Sequence, residues 1–451
     1  MMDAMQKTAI KVLMLPWLAH GHISPFLELA KKLIHSSQRN FHVYLCSSPV
    51  NLDSIRLKFS CDPKLSNSIE LVELHLPSTP ELPPHHHTTK GLPPHLMPNL
   101  MKAFEMTRSD FTNILETQKP DLIIHDFLPP WVHDVASSMN IPNIAFITSG
   151  ASIMNFSFHF TNNKIDEFPF PEICPDSLIK KFNQLRETSL KDDVGGKPLH
   201  FYETSCKIIL IKSFRELEGK YIDYLSTSFG KKVVPVGPLV PDPVDDNEGM
   251  DIINWLDKKE KSSTILVSFG SECYLSKQDM KEIAHGLELS KVNFIWVIRF
   301  PEGEEEKLED ALPEGYLERV RERGMVVENW APQVKILNHA NTGGFVSHCG
   351  WGSLMESIKF GVPIIAMPMQ FDQPMNARLA EVSGIGLEIK MDNDNGRIER
   401  EAMAKVIKQV VIEETGEVIR KKAREMSDCI KIKGEEEIDG AVQELLKLSE
   451  M

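Results

Sequence analysis

Residues Ile10–Ile34 read IKVLMLPWLAHGHISPFLELAKKLI, and the order of features along this stretch decides the fold. Ile10–Pro16 is a short apolar run closed by a turn-like segment, the pattern of a strand buried on both faces. His20–Pro25 reads as a loop, and from Phe26 to Ile34 the residues Leu27, Ala30, Leu33 and Ile34 recur at helical spacing. Strand, loop and helix in that order open a βαβ unit. Working outward, Phe41–Cys46, Asp121–His125 and Asn143–Ile147 predict further strands, and strands alternating with helices imply a parallel sheet wrapped by helices. The alternation resumes beyond Val233–Leu239. Ser263–Phe269, Asn293–Ile298, Met325–Glu328, Thr342–Ser347 and Val362–Ala366 predict strands, and Lys277–Leu289 and Gln373–Val382 predict helices. The Pro- and Asp-rich stretch Val240–Met250 between the two halves lacks periodicity and reads as a linker. Glu302–Asp310 reads as a solvated acidic loop and Glu399–Leu448 as charged helix. No internal repeat is evident, yet an α/β chain of two doubly wound sheets facing a cleft is expected.

Composition fits that reading. At 451 residues the chain has length for roughly two to three domains, with core enough to need no staples. Lys+Arg 50 against Asp+Glu 64 leaves a net charge of −14, which speaks against a nucleic-acid or anionic-membrane surface but not against a small anionic ligand. The 7 cysteines are odd in number and scattered without a C-x-x-C pair, so reduced thiols of a cytoplasmic protein are expected. No secretory leader and no 18-residue apolar run is read from the sequence. The Pro-rich stretch Leu76–Pro98 carries His85, His86 and His87; the prolines favour a surface loop over a metal site, and such loops often wall a substrate site.

Several chemistries drop out. The turn after the first strand is not G-x-G-x-x-G, and neither a Walker A motif nor a G-x-S-x-G elbow occurs. His20 and His22 have no carboxylate or third histidine nearby in sequence to complete a metal site. His348 and Cys349 are adjacent on a tight turn and so point apart, which makes Cys349 a small buried filler rather than a nucleophile. More informative is His348–Phe360, HCGWGSLMESIKF. Here a strand ends in a Gly-rich turn and a helix starts near Ser353, offering free N–H groups and a positive dipole end to an anion such as a diphosphate. Ser353 and Glu356 also have the spacing of a capping box. Phe269-Gly270-Ser271, at the end of the second half's first strand, could present further donors to the same phosphates.

From Trp330 to Gln373 the sequence reads WAPQVKILNHANTGGFVSHCGWGSLMESIKFGVPIIAMPMQFDQ. This resembles the signature box of plant family 1 UDP-sugar glycosyltransferases in length and wording. Support extends outside it, with GHISP near the N-terminus, HDF at Asp126, VGPL before the linker and SFGSE in the second half. The resemblance implies a GT-B fold, with an acceptor-binding domain over 1–239, a linker over 240–250 and a UDP-sugar-binding domain over 251–451 whose last helix could pack back on the first. It implies that Trp330 stacks on uracil, that Ala331 and Gln333 bond its edge, and that Glu356 accepts from the ribose hydroxyls. His348, Ser353 and Ser271 would hold the diphosphate, and Trp351, Asp372 and Gln373 the sugar. Gly352 stands where many members carry Asn, so a side-chain contact to phosphate is replaced by backbone or water. That glycine, with the wording IKFGVPIIAMPMQ, resembles members that extend the sugar chain of an existing glycoside.

By the same resemblance His22, not His20, is the catalytic histidine, with Asp126 holding its tautomer. A histidine, whose ordinary pKa is roughly 6.5, can take the proton of an acceptor hydroxyl. Attack opposite UDP would invert the anomeric centre, and helix N–H groups would stabilise the departing UDP without a metal or other cofactor. The expected enzyme is an inverting, UDP-glucose-dependent hexosyltransferase of plant secondary metabolism that extends a terpenoid or phenolic glycoside. Its partners would be a UDP-sugar and a small glycoside acceptor, with no nucleic acid, no membrane span and a monomeric state. Two other readings stand beside it: a glucosyltransferase acting directly on an aglycone, and a non-catalytic UDP-sugar sensor, against which the presence of both His22 and Asp126 argues.

Overall fold

Successive residues of a strand face opposite sides, so a strand that is apolar throughout must be covered twice. β1 (Ile10–Leu15) follows this rule: Val12 and Met14 join one core cluster, and Leu13 and Leu15 another. The computed structural model describes residues 9–36, 40–59, 63–162, 164–175, 178–180, 207–244, 246–271, 273–300, 307–391 and 397–449. These residues fall into two compact units. The first takes in 9–168, 207–239 and 433–449, and the second 169–180 and 240–432.

In the first unit, β1 is joined by β2 (Phe41–Ser47), β3 (Ile69–Glu73), β4 (Leu122–Asp126), β5 (Asn143–Ile147), β6 (Ile208–Ile211) and β7 (Lys232–Pro235). They form a 7-stranded parallel sheet in the order β3-β2-β1-β4-β5-β6-β7. The helix His20–His35 lays Phe26, Ala30 and Leu33 over one face, joined there by Ile438, Val442 and Leu445 of the last helix. Phe104, Phe111 and Trp131 fill the other face.

The second unit repeats the winding. β8 (Thr264–Ser268), β9 (Asn293–Ile298), β10 (Gly324–Glu328), β11 (Thr342–Ser347), β12 (Ile364–Ala366) and β13 (Gly386–Glu388) form a 6-stranded sheet in the order β10-β9-β8-β11-β12-β13. All its pairs are parallel. Ile265 and Val267 face one core, Leu266 the other. In both sheets the first strand lies centrally, so the winding reverses beside it, between β1 and β4 and between β8 and β11. Ligands of such sheets bind outside the carboxyl ends of the strands at that reversal.

Three expectations are corrected. His20–Pro25 is not a loop but the start of the His20–His35 helix. Ala19 is extended and its carbonyl accepts from both His22 and Ile23, and the apolar face beyond outweighs the N–H that Pro25 lacks. The last helix, Glu417–Ser449, whose return to the first domain the resemblance allows, counts with the second unit to Ile432 and with the first from Lys433, where Ile438, Val442 and Leu445 are buried in the core. The His-rich stretch is not uniformly on the surface: His85 is exposed, but His87 is 4% exposed. It is drawn inward by Ser48 Oγ donating to its carbonyl and by Thr89 N donating to Leu18 O. Of the acidic run, 302–306 lie outside the described residues, while Leu308–Ala311 is a short helix with Leu308 and Ala311 buried. Cys61 and Cys206 also lie outside the described residues, and the other cysteines are free thiols.

Glu437 gives the first unit a pH-dependent stability. Its Oε1 accepts from Arg215 N at 2.8 Å, while its Oε2 is buried without a partner. Burial pushes the carboxyl up to about 7, against the pull of the Arg215 amide. An unfolded glutamate loses its proton near ~4.3, so the folded state binds more protons between these values and stability falls as pH rises through them. The substitution Glu437→Gln keeps the acceptor and removes the charge. Thermal melting should show a higher Tm for the variant at about pH 8 and no gain at about pH 4.

Candidate active site

At the reversal point of the first sheet, β1 runs out into Pro16–Ala19 and β4 ends on Asp126. The Leu15↔His125 register brings these exits side by side. Asp126 is fully buried, its Oδ2 accepting from Trp17 N at 3.2 Å and its Oδ1 from Leu128 N at 3.2 Å. The same Oδ2 lies 2.7 Å from Nδ1 of His22, the third residue of its helix. Two backbone amides therefore hold the carboxylate, and the carboxylate holds the ring. The ring also stacks on Phe127, with centroids 6.0 Å apart. With Nδ1 donating to Asp126, the tautomer leaves the Nε2 lone pair as the basic position. His22 keeps 22% side-chain exposure, so a substrate can reach it.

Sequence reasoning missed Thr148. Its Oγ1 lies 2.9 Å from His22 Nδ1, the same nitrogen that faces Asp126. Thr148 directly follows β5, and the signal was present in the polar triplet Thr148-Ser149-Gly150 between a buried strand and a helix. His20, by contrast, is exposed.

The second set of residues occupies the corresponding place in the second unit. β11 leads through His348-Cys349-Gly350 into the helix Trp351–Lys359. Cys349 turns the chain with φ 64°, is fully buried, and has its thiol pushed up by burial, which fits a filler and not a nucleophile. The N-cap is Gly350, without a side-chain cap bond, so Ser353 is the third helical residue and the expected capping box does not form. Glu356 instead accepts from Gln333 Nε2 at 2.6 Å. Gly350 thus brings no side-chain acceptor to the first turn at Gly352 and Ser353, which lies at the positive end of the helix.

The His348 ring lies close against two glycines. A Cβ on Gly270 would come within 2.8 Å of its Cε1, and one on Gly350 within 2.7 Å of its Nε2. Burial pushes the imidazole down to about 4, so near neutral pH it is an uncharged donor or acceptor. Gly270 has φ +80°, and Ser271 follows it at the exit of β8. The register Ser347↔Ser268 places these two exits together. Around them, Trp330 is 47% exposed, offering an aromatic face, and Ala331 is buried beside it. Trp351 is 4% exposed, so its ring belongs to the interior. Asp372 stands just before the helix Gln373–Val382 without a side-chain cap bond, and its Oδ2 accepts from Asn376 Nδ2 at 2.8 Å. The side-chain oxygen of Gln373 accepts from the amides of Met369 and Gln370, each at 2.9 Å. Its Nε2 is the end that these two bonds do not engage.

The model of the UDP-glucoronosyl and UDP-glucosyl transferase family matches residues 226–433, and that of the glycosyltransferase N-terminal domain residues 8–241. The chain is 54% identical over 452 residues to a mogroside IIIx synthase of Siraitia grosvenorii, covering 98% of this chain and 94% of that protein. It is 46% identical to a β-D-glucosyl crocetin β-1,6-glucosyltransferase of Gardenia jasminoides, covering 96% and 98%. A transferase from Siraitia grosvenorii solved in complex with UDP superposes with a TM-score of 0.76 at 26% identity, covering 98% of this chain and all (100%) of that one. With two parallel α/β units of GT-B type and these matches end to end, the chain belongs to the plant family 1 UDP-glycosyltransferases.

Proposed function

We propose that this enzyme transfers glucose from UDP-glucose, with inversion, to a sugar hydroxyl of an existing terpenoid or phenolic glycoside. The observation that carries the chemistry is the 2.7 Å contact between His22 Nδ1 and Asp126, which leaves Nε2 to act as general base. The acceptor oxygen attacks the anomeric carbon as its proton passes to Nε2 and the bond to the UDP oxygen breaks. Attack from the face opposite the leaving group converts an α-linked donor into a β-glucoside. Charge developing on UDP is met by the N–H groups of Gly352 and Ser353 at the helix start and by neutral His348, donors fixed before the reaction begins. No metal ion is required in this reading. Trp330 stacks on uracil, Gln333 and Glu356 take the nucleoside, and Asp372 and Gln373 orient the sugar.

The acceptor class is supported by the names of the two relatives, one an enzyme of a β-D-glucosyl acceptor, and by Gly352 with its neighbouring wording. The His85–His87 stretch adds less than its sequence promised, since His87 faces inward. A site built for sugar hydroxyls leaves polar groups unpaired when the bare aglycone binds, and such sites reject the analogue strongly. With UDP-glucose as donor, kcat/KM for a terpenoid or flavonoid monoglucoside should exceed that for its aglycone by at least tenfold. A preference for the aglycone would overturn the acceptor assignment.

A further inference from the structure

Glu218 is the most deeply buried carboxyl group of the first unit that the reaction does not use. It is 0% exposed, and the helix Arg215–Phe229 departs from helical geometry at this residue, with φ −122° and ψ 15°. Three donors converge on it: Ala151 N to Oε2 at 2.7 Å, Ser152 N to Oε1 at 2.8 Å, and Ser213 Oγ to Oε2 at 2.7 Å. Ala151 and Ser152 are the first two residues of the helix Ala151–Thr161, whose own N-cap, Gly150, supplies no side-chain bond. Glu218 therefore caps that helix from 67 residues away, presenting an acceptor to each orphan amide at its positive end.

Capping alone does not require this arrangement. A serine or asparagine at Gly150 would satisfy an amide locally, without the desolvation cost of burying a carboxyl group. Ser149 is adjacent, and its hydroxyl is buried without a partner. What a distant carboxylate adds is a fixed position for the segment leading into the helix. That segment is Thr148-Ser149-Gly150. Its other end is pinned to the sheet, where Lys212 N donates to Ile147 O at 2.8 Å. Between the two anchors stands Thr148, 2.9 Å from His22 Nδ1.

We infer that Glu218 is a positioning residue for catalysis, holding Thr148 against His22 through the amides of Ala151 and Ser152. This rests on the reading of His22 as the base. The chain of contacts runs from a kinked helix, through a helix start and the backbone of residues 148–151, to the catalytic imidazole, and its hydrogen bonds at either end are 2.7–2.9 Å long. A carboxylate accepts from both amides at once. An amide side chain cannot, because one of its ends is a donor.

The test is a kinetic double-mutant cycle on the full chain, using Glu218→Gln, Thr148→Val and the pair, with His22→Ala alongside. If Glu218 acts through Thr148, Glu218→Gln lowers kcat about tenfold with little change in the KM for UDP-glucose. In the Thr148→Val background it then lowers kcat less than twofold further. A purely structural role gives additive losses in the cycle, which would overturn the inference. Should Glu218→Gln not fold, Ser213→Ala removes one donor to the same carboxylate and replaces it in the cycle, with an expected two- to fivefold loss and the same non-additivity. Additive losses there count equally against the inference. If His22→Ala retains substantial turnover, it is the base assignment that has failed; an inactive His22→Ala with an additive cycle sinks Glu218 alone.

Discussion

The variant His22→Ala is expected to lose about 10²–10⁴ in kcat while binding UDP as tightly as the wild type. The alanine takes away the group that receives the acceptor proton. It leaves Asp126 in place, since Trp17 N and Leu128 N still hold that carboxylate. The residues proposed to bind UDP lie in the other unit of the chain, away from the first unit's imidazole in the sequence. Added imidazole should restore part of the turnover, as a small base can enter where the side chain was. Initial rates give kcat and calorimetry gives UDP affinity. Retention of more than about a tenth of the wild-type kcat would remove His22 from the role of base.

Glu356→Ala should have the opposite signature, a loss of nucleotide binding. Two groups lose a partner at once: the ribose diol, which the carboxylate is proposed to accept from, and Gln333, whose Nε2 donates to it at 2.6 Å. Hydrogen bonds to a charged group are worth about 1.5–3 kcal/mol, so the Kd for UDP should rise roughly ten- to a hundredfold. The ribose assignment has its own check. UDP analogues lacking the 2′- and 3′-hydroxyls should bind wild type and variant with similar affinity. Unequal loss with those analogues would place the carboxylate's role elsewhere on the nucleotide.

The sequence disclosed the sheets where strands are buried on both faces. Asn143–Ile147, Asn293–Ile298 and Thr342–Ser347 fall where the apolar runs placed them. It hid β3, whose IELVE is interrupted by two glutamates, fits no clean period and lies at a sheet edge. It also hid β6 and β13, which at 4 and 3 residues are too short for a period to register. Helix starts were harder still. At His20 a proline suggested a loop that tertiary burial overrode, and at Ser353 a capping pattern lay inside a helix that begins earlier. The nucleotide-side residues were legible because they crowd into one stretch, Trp330–Gln373. Thr148 and Glu218 were not, because their meaning depends on partners 126 and 67 positions away.

The three glycines near His348 and the helix it precedes differ in how freely they can change. Gly270 and Gly350 are locked by the imidazole lying against them, whereas a Cβ at Gly352 would meet nothing within 4 Å, and the residue is exposed. Replacing a helical glycine also removes a penalty of about 1 kcal/mol in backbone entropy. Position 352 is therefore a place where substitutions can accumulate under drift without unfolding the protein, directly over the turn that would receive the diphosphate. A library randomised at this codon alone would sample donor recognition in a background of intact stability, while the same exercise at 270 or 350 would mostly return misfolded or misaligned sites. Selection for a new sugar nucleotide has its least obstructed first step there.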